Sequence, residues 1–238
     1  MDDRRSPVVA ALVLGICLAL GLAVAGYLLS DALYAARAAD RFVTVKGLAE
    51  RDVPADLALW PVVFTNTGND LVALQTQVEE DAAAIRSFLR GHGFSDEETA
   101  LSAPRVTDNW ANFGGQRPAE RYQVESTLTV RSDKIDQVRQ AIQRSGDLVR
   151  AGVTLIRSYE YSTQYLFTRL EEIKPEMIAE ATRDARRAAE QFAEDSGAEV
   201  GGIRRAQQGY FSIDDRDPYS PESKKVRVVT TVEYFLVE

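Results

Sequence analysis

The sequence has few of the side chains on which most enzyme chemistry depends. Its 238 residues include one cysteine and one histidine. The cysteine, Cys17, lies in a long apolar run, so the rest of the chain has no thiol to oxidise and cannot form a disulfide. With one histidine and no cysteine outside that run, zinc chemistry is close to excluded.

Recognisable catalytic motifs are missing as well. The sequence has no G-x-S-x-G elbow, no P-loop and no G-x-G-x-x-G fingerprint. The single histidine, His92, stands between two glycines where we expect a helix to end, and this position favours a helix-end role over that of a catalytic base. We therefore predict no catalytic, cofactor-binding or metal-binding residues, and we expect that the protein is not an enzyme.

Basic residues are outnumbered by acidic ones. The chain has 28 lysines and arginines against 36 acidic residues, which gives a formal net charge of −8. No basic stripe is available to neutralise phosphates, so the composition argues against a nucleic-acid partner. The same charge argues against a body that lies flat on an anionic lipid surface.

The most informative feature that the sequence does contain is the apolar run Pro7–Leu29. As a helix with a rise of about 1.5 Å per residue, it is long enough to cross roughly 30 Å of hydrocarbon. A signal peptide usually has a shorter apolar core, which favours a retained anchor. The small residues of Ala36-Arg37-Ala38 nevertheless suit a cleavage site near Ala38, so both alternatives stay open.

The charges around this run favour one orientation and define the predicted domains. Arg4 and Arg5 lie directly before the run, which favours an N-terminus inside the cell and an exported body. We predict a cytoplasmic tip and transmembrane anchor over residues 1–30, a stalk over 31–40 and an exported domain over 41–238. The expected location is the inner (cytoplasmic) membrane, with a single pass and the body in the periplasm or otherwise outside the cytoplasm.

The body alternates between strand-like and helix-like patterns. Predicted strands cover about residues 42–47, 53–65, 100–110, 121–131, 153–161, 200–210 and 226–236, and predicted helices cover about 69–90, 133–146 and 175–195. This order predicts an α+β fold, mainly antiparallel sheet with helices packed on it, and it contains the β-α-β-β-α-β order of a ferredoxin-like core.

Two segments of the body carry more specific expectations. Pro54 and Pro61 should confine parts of the second strand to a sheet edge or a bend, because proline cannot donate to a strand ladder. The last helix should begin around Pro175 and press closely on a sheet, because its expected buried stripe is mostly small. That stripe consists of Met177, Ala181, Ala185, Ala188, Ala189 and Phe192.

Three groups of residues leave functional alternatives open. Glu125 and Glu160 lie on predicted strands and are the candidates if the protein is an envelope hydrolase that uses paired carboxylates. The loop 212–224 contains Asp214, Asp215 and Asp217 and is the candidate for a calcium-binding module, although it lacks the glycine and the terminal glutamate of an EF-hand loop. Trp110 with residues 112–115 is either a plain turn or the tip of a partner-binding hairpin.

Several motifs together resemble the SIMPL-domain family over nearly all of the body. They are Val43-Thr44-Val45-Lys46-Gly47-Leu48-Ala49-Glu50 followed by Pro54-Ala55-Asp56-Leu57-Ala58, Leu101-Ser102-Ala103-Pro104, Ser132-Asp133-Lys134-Ile135-Asp136 and the Ala-rich stretch 180–190. Family members commonly have Gly-Glu-Gly in the first motif, so this chain resembles a divergent branch. The resemblance implies an exported α+β protein without established catalytic residues. Some members of the family form homo-oligomers and some are linked to defence against oxidative stress, so the resemblance implies that this chain could share either property.

These observations predict a membrane-anchored cell-envelope protein with a structural or interaction role. Its expected partners are the membrane, through the N-terminal helix, a second copy of the chain and an unidentified envelope protein. The paired-carboxylate hydrolase and the calcium-binding module are the alternatives.

Overall fold

The computed structural model describes residues 5–38, 41–111 and 117–237 of the chain. The helices are α1 (Arg5–Ala38), α2 (Leu71–Gly91), α3 (Ile135–Arg144), α4 (Gly146–Arg150) and α5 (Leu170–Ser196). The strands are β1 (Phe42–Pro54), β2 (Leu57–Gly68), β3 (Thr99–Leu101), β4 (Arg105–Asp108), β5 (Tyr122–Ser132), β6 (Leu155–Ile156), β7 (Gln164–Leu166), β8 (Glu199–Gln208), β9 (Ser212–Asp215) and β10 (Ser223–Val237). Single helical turns lie at Asp96–Glu98 and Tyr159–Tyr161.

The apolar run forms the central part of α1. Residues Ala11–Ser30 have a mean hydropathy of 2.5, and none of them is buried against the rest of the chain. This segment has the length and composition of a membrane anchor or a signal sequence. The helix continues through the predicted stalk as far as Ala38, and residues 39–40 of that stalk lie outside the described residues.

The chain divides into two compact units. The first comprises residues 1–49, 178–210 and 228–238, and the second comprises residues 50–177 and 211–227. Three long elements, β1, α5 and β10, contribute residues to both units.

The second unit contains the predicted ferredoxin-like core. Its sheet has the order β3-β5-β2-β6, in which β4 also pairs with β5 and β7 also pairs with β2. All of these pairings are antiparallel. The chain enters the sheet at β2, passes through α2 to the outer strands β3 and β4, returns in β5 and passes through α3 to β6 and β7. This is the β-α-β-β-α-β arrangement that the sequence predicts, with both outer strands divided into two short pieces.

The strand β5 and the helix α2 supply much of the core of this unit. Val124, Leu128 and Val130 of β5 are buried on one face, as the alternation in the sequence predicts. Along α2 the buried residues recur every three or four positions, at Leu74, Val78, Ala82, Ile85 and Leu89.

The beginning of α2 differs from the prediction by one or two residues. The predicted helix begins at residue 69, whereas the N-cap is Asp70, whose carboxylate accepts hydrogen bonds from the N–H groups of Val72 and Ala73. Leu71 lies in the first turn and is exposed.

On the outer side of β2 the chain leaves the sheet between β6 and β7. We call this segment, residues 157–163, the detour. On β2, Leu59 and Val63 are four residues apart, whereas their partners Gln164 and Ile156 are eight residues apart. The four extra residues on the outer side include the single turn Tyr159–Tyr161. The predicted continuous strand through residues 153–161 is therefore wrong, because this part of the chain leaves the sheet between β6 and β7.

Pro61 lies on β2 opposite this detour. The N–H of Thr65 donates to the carbonyl oxygen of Thr154 at 2.9 Å, so odd-numbered residues of β2 direct their backbone polar groups towards the outer strand. Pro61 is on the same side and has no N–H to offer, and no residue of β6 or β7 pairs with it. The proline is thus compatible with a strand that pairs only with β5 at this point.

In the first unit, the sheet places β10 between β1 and β8. The predicted end of the first strand near residue 47 is wrong, because β1 continues to Pro54. The core of the unit consists of Val43, Ala185, Ala189, Val232 and Tyr234.

The helix α5 touches β1 at the level of the backbone. A side chain on Gly47 would place its Cβ 1.8 Å from the carbonyl oxygen of Ala181 and 2.4 Å from the nitrogen of Ala185. The N–H of Leu48 donates to the Asp184 carboxylate at 2.9 Å. The expectation that this helix presses closely on a sheet is therefore confirmed.

The position of α5 along the sequence corrects two details. The helix begins at Leu170, so Pro175 lies inside it and not in its first turn. The buried stripe repeats every fourth residue, with Ala193 as its last member, whereas Ala188 and Phe192 are exposed.

We predict that Gly47→Ala lowers the free energy of unfolding by about 3 kcal/mol or more, because the added methyl group meets helix backbone that cannot rotate away. Gly202→Ala is the matched control, since no heavy atom lies within 4 Å of the position that its Cβ would take. Urea unfolding of the full chain in detergent, followed by near-UV circular dichroism, measures both variants. Equal losses in the two variants would contradict the close contact.

Candidate functional site

His92 lies at the C-terminal end of α2. It is the C-cap residue, its Nδ1 lies 2.8 Å from the carbonyl oxygen of Phe88, and its ring centroid lies 4.2 Å from that of Phe88. A carbonyl can only accept, so Nδ1 carries the proton and donates it to the end of the helix. The structure therefore uses this histidine as part of a helix terminus.

The predicted acidic loop is a hairpin and not an open loop. Asp214 and Asp215 belong to β9, which pairs with the first residues of β10. Asp215 forms an ion pair with Lys224, and Asp217 accepts hydrogen bonds from Arg216 and from the N–H of Tyr219. The Arg216 side chain and that N–H hold the pKa of Asp217 below its usual value. Across residues 5–38, 41–111 and 117–237, no three acidic, histidine or cysteine side chains are grouped to hold a metal ion.

The two carboxylates considered for hydrolysis have different surroundings. Glu125 on β5 accepts a hydrogen bond of 3.0 Å from the hydroxyl of Tyr161, which raises the pKa of that tyrosine. Glu160 precedes Tyr161 in the single turn of the detour and is exposed. Glu125 is thus engaged by a neutral donor.

Trp110 follows β4, and the guanidinium groups of two arginines lie over its indole ring. Its Nε1 donates to the carbonyl oxygen of Pro118 at 3.0 Å, and the guanidinium groups of Arg117 and Arg121 lie 5.3 Å and 5.4 Å from its ring centroid. Arg121 also forms an ion pair of 2.9 Å with Asp108. The proposed hairpin tip at residues 112–115 lies outside the described residues.

A network around Glu98 joins the single turn 96–98 to the end of β5. The carboxylate accepts hydrogen bonds from the hydroxyl of Ser132 at 2.6 Å, from Lys134 at 2.8 Å and from the N–H of Ser95 at 2.8 Å. Burial alone would raise the pKa of Glu98, but these donors lower it to about 2. The sequence signal for Glu98 is its S-x-x-E spacing from Ser95, which is the signature of a capping box.

The detour between β6 and β7 leaves a cleft beside β2. Its volume is about 220 Å³, and its walls combine apolar side chains with a few polar ones. The lining residues that matter most are Trp60, Pro61, Ile142, Ser145, Leu155, Ile156, Arg157 and Tyr161. Sequence reasoning missed this site because it depends on the mismatch in strand pairing, of which Pro61 was the only local sign.

Within the cleft, one cation is held in place by a buried hydroxyl. The Arg157 guanidinium donates to the Ser145 hydroxyl oxygen at 2.6 Å, and that hydroxyl donates to the carbonyl oxygen of Ile142 at 2.7 Å. Ser145 is only 3% exposed. The arrangement positions a positive charge at the wall of a partly apolar space, which suits the binding of an anion.

A second surface of interest is the strand β8. It lies at the edge of its sheet, and every residue from Gly202 to Gln208 is exposed. Val200, near the beginning of the strand, packs against the core of the first unit, but Ile203 is 54% exposed. Edge strands of this kind present backbone groups to which a further strand can bind.

The fold and these surfaces define an α+β protein with an apolar N-terminal helix and a ferredoxin-like sheet. The family SIMPL, described as a protein of unknown function (DUF541), matches residues 43–234. The chain belongs to this family, as the motifs in its sequence indicate. The family is not a known enzyme family. A comparison with curated proteins gives no significant match.

We predict that Glu98 makes stability depend on pH. Its pKa of about 2 in the folded state is lower than the ordinary glutamate pKa of 4.5, so the unfolded chain binds the proton more readily. The contribution, on the order of 2 kcal/mol, is present above about pH 4.5 and is lost as the pH falls towards 2.

Urea midpoints of the full chain at pH 7 and pH 3 measure this effect. The wild type should lose more stability on acidification than Glu98→Gln, while Glu97→Gln, which changes an exposed neighbour, should behave as the wild type does. Identical pH dependence in wild type and Glu98→Gln would refute the role of this network.

Proposed function

We propose that the protein is a single-pass protein of the cell envelope whose body acts by association, first with a second copy of itself. The observation that carries this proposal is the uncovered edge strand β8. The apolar run Pro7–Leu29 in α1, together with Arg4 and Arg5 before that run, supports an inner-membrane anchor with the body in the periplasm or otherwise outside the cytoplasm.

The exposure of β8 follows from where α5 packs. Its fully buried residues Ala185 and Ala189 share a core with residues of β1 and β10. From Ile203 onward, β8 takes no part in that core. The outer backbone edge of β8 and the exposed side chain of Ile203 are therefore available to another chain.

The direction of the backbone groups shows what β8 offers. The N–H of Gly209 donates to the carbonyl oxygen of Val229 on β10 at 2.8 Å. Because backbone groups alternate along a strand, the N–H groups of Ala206 and Gln208 are directed away from β10. A second strand can accept from these groups and extend the sheet.

A second copy of the chain is the partner that the anchor favours. Copies tethered in one membrane meet at a high effective concentration, so even weak strand pairing leads to assembly. Two identical edges that pair antiparallel form a closed two-fold interface. An envelope protein that adds its own strand to β8 is the alternative partner.

The chemistry of the chain fits a role based on contact. Cys17 lies in α1, and Met177, the methionine of the body, is fully buried. The link to oxidative-stress defence implied by the family resemblance therefore stays a prediction, and on this account it would act through binding and not through a reactive sulfur.

We predict that Ala206→Pro abolishes self-association and leaves the body folded. The substitution removes an N–H that faces the free edge of the sheet. The N–H groups of β8 that donate to β10 are unchanged. Ala206→Ser keeps the N–H and is the matched control. Native mass spectrometry of the full chain from nanodiscs should give an oligomer for wild type and Ala206→Ser and a monomer for Ala206→Pro. A monomeric wild type, or an Ala206→Pro variant that assembles normally, would overturn the proposal.

We also predict that the apolar helix is retained. N-terminal sequencing of protein taken from its own membrane should then begin at or near Met1. A sequence that begins after Ala38 would instead show that the helix is a cleaved signal and that the body is released.

A further inference from the structure

We propose that the cleft beside β2 binds a small organic carboxylate with an apolar, preferably aromatic, body. The proposal does not rest on association through β8, because the cleft and its lining residues belong to the second unit alone.

The cleft exists because the outer strand of the sheet is interrupted. Between β6 and β7 the chain forms the single turn Tyr159–Tyr161, while β2 continues straight past it. Pro61 lies at this point and has no N–H that a strand or a ligand would have to satisfy. The fold therefore provides a space beside β2 without leaving an orphaned donor in it.

The polar end of the ligand is set by Arg157. Its guanidinium donates to the buried Ser145 hydroxyl at 2.6 Å, which fixes one of its nitrogens. Within the described part of the chain, no carboxylate forms an ion pair with Arg157. The remaining N–H groups of the guanidinium are thus available, and their planar arrangement matches the two oxygens of a carboxylate.

The apolar end of the ligand is set by the opposite walls. Trp60 is 7% exposed, and Ile142, Leu155 and Ile156 line the same space. Contact with these side chains removes apolar ligand surface from water, and the flat indole favours an aromatic ring. A bare inorganic anion would leave these walls without a partner.

The size of the cleft limits the ligand. The volume of about 220 Å³ is larger than the about 150 Å³ of an apolar cavity that is known to hold one benzene ring. Benzoate, with about nine non-hydrogen atoms, is of this size, and ligands so small commonly bind with dissociation constants on the order of 0.1–1 mM.

Trp60 provides a direct signal for binding. The chain has two tryptophans, so Trp110→Phe leaves Trp60 as the single indole. In this background, titration of the full chain in nanodiscs with benzoate should give a saturable change in fluorescence. Benzyl alcohol, which keeps the ring and lacks the charge, should bind at least tenfold more weakly.

Two further substitutions in the Trp110→Phe background test the assignment. Arg157→Gln should weaken benzoate binding at least tenfold, and Arg157→Lys should give an intermediate value because a single ammonium replaces the planar fork. Ser162→Phe keeps Arg157 and narrows the cleft from its lining, so it should also weaken binding, even if Arg157→Gln is poorly folded.

Three results would overturn the proposal. The first is benzoate binding that Arg157→Gln and Ser162→Phe leave unchanged, and the second is equal binding of benzyl alcohol, which would show an apolar site without anion recognition. The third is displacement of benzoate by inorganic phosphate at equal concentration, which would show an anion site without an apolar part.

Discussion

The contact between the backbone of Gly47 and the backbone of α5 is the constraint on which the first unit depends. At this point strand and helix approach so closely that no side chain fits between them. Ala181, Ala185 and Ala189 keep the helix at this distance along its length. Because the helix packs on β1 and β10, it leaves β8 uncovered from Ile203 onward. The proposed association surface, the outer edge of β8, follows from this packing.

The second unit shows the same principle in a different form. There the sheet is incomplete beside β2, because the outer strand leaves it between β6 and β7. Pro61 lies at this gap and has no N–H, so the missing neighbour leaves no backbone donor at this residue without a hydrogen bond. In both units the proposed binding surfaces lie where a strand lacks a neighbour, whereas the ionisable side chains of Glu98, Asp215 and His92 take part in local structural contacts.

The sequence predicts the parts of this fold that depend on local periodicity. The alternation in β5 and β10, the stripe of α2 and the order of the ferredoxin-like core all follow from patterns of two or of three to four residues. The errors occur where the local structure depends on a residue that is distant in the sequence. Arg51 lies within β1 and not between two strands, and its guanidinium lies 2.9 Å from the Glu176 carboxylate. Asp215 lies in a strand because Lys224 stands opposite it. The cleft at Arg157 depends on a difference in spacing between two strands, which no single stretch of sequence contains.

The most direct test of this account is hydrogen–deuterium exchange of the full chain in nanodiscs, resolved at Ala206 and Gln208. The N–H groups of these residues should exchange rapidly when each nanodisc holds one copy and become protected when it holds several. Buried ladder amides of β10 should be protected under both conditions and provide the internal reference. Rapid exchange at Ala206 and Gln208 in the multiply occupied nanodiscs would contradict the claim that β8 is the surface through which this protein associates.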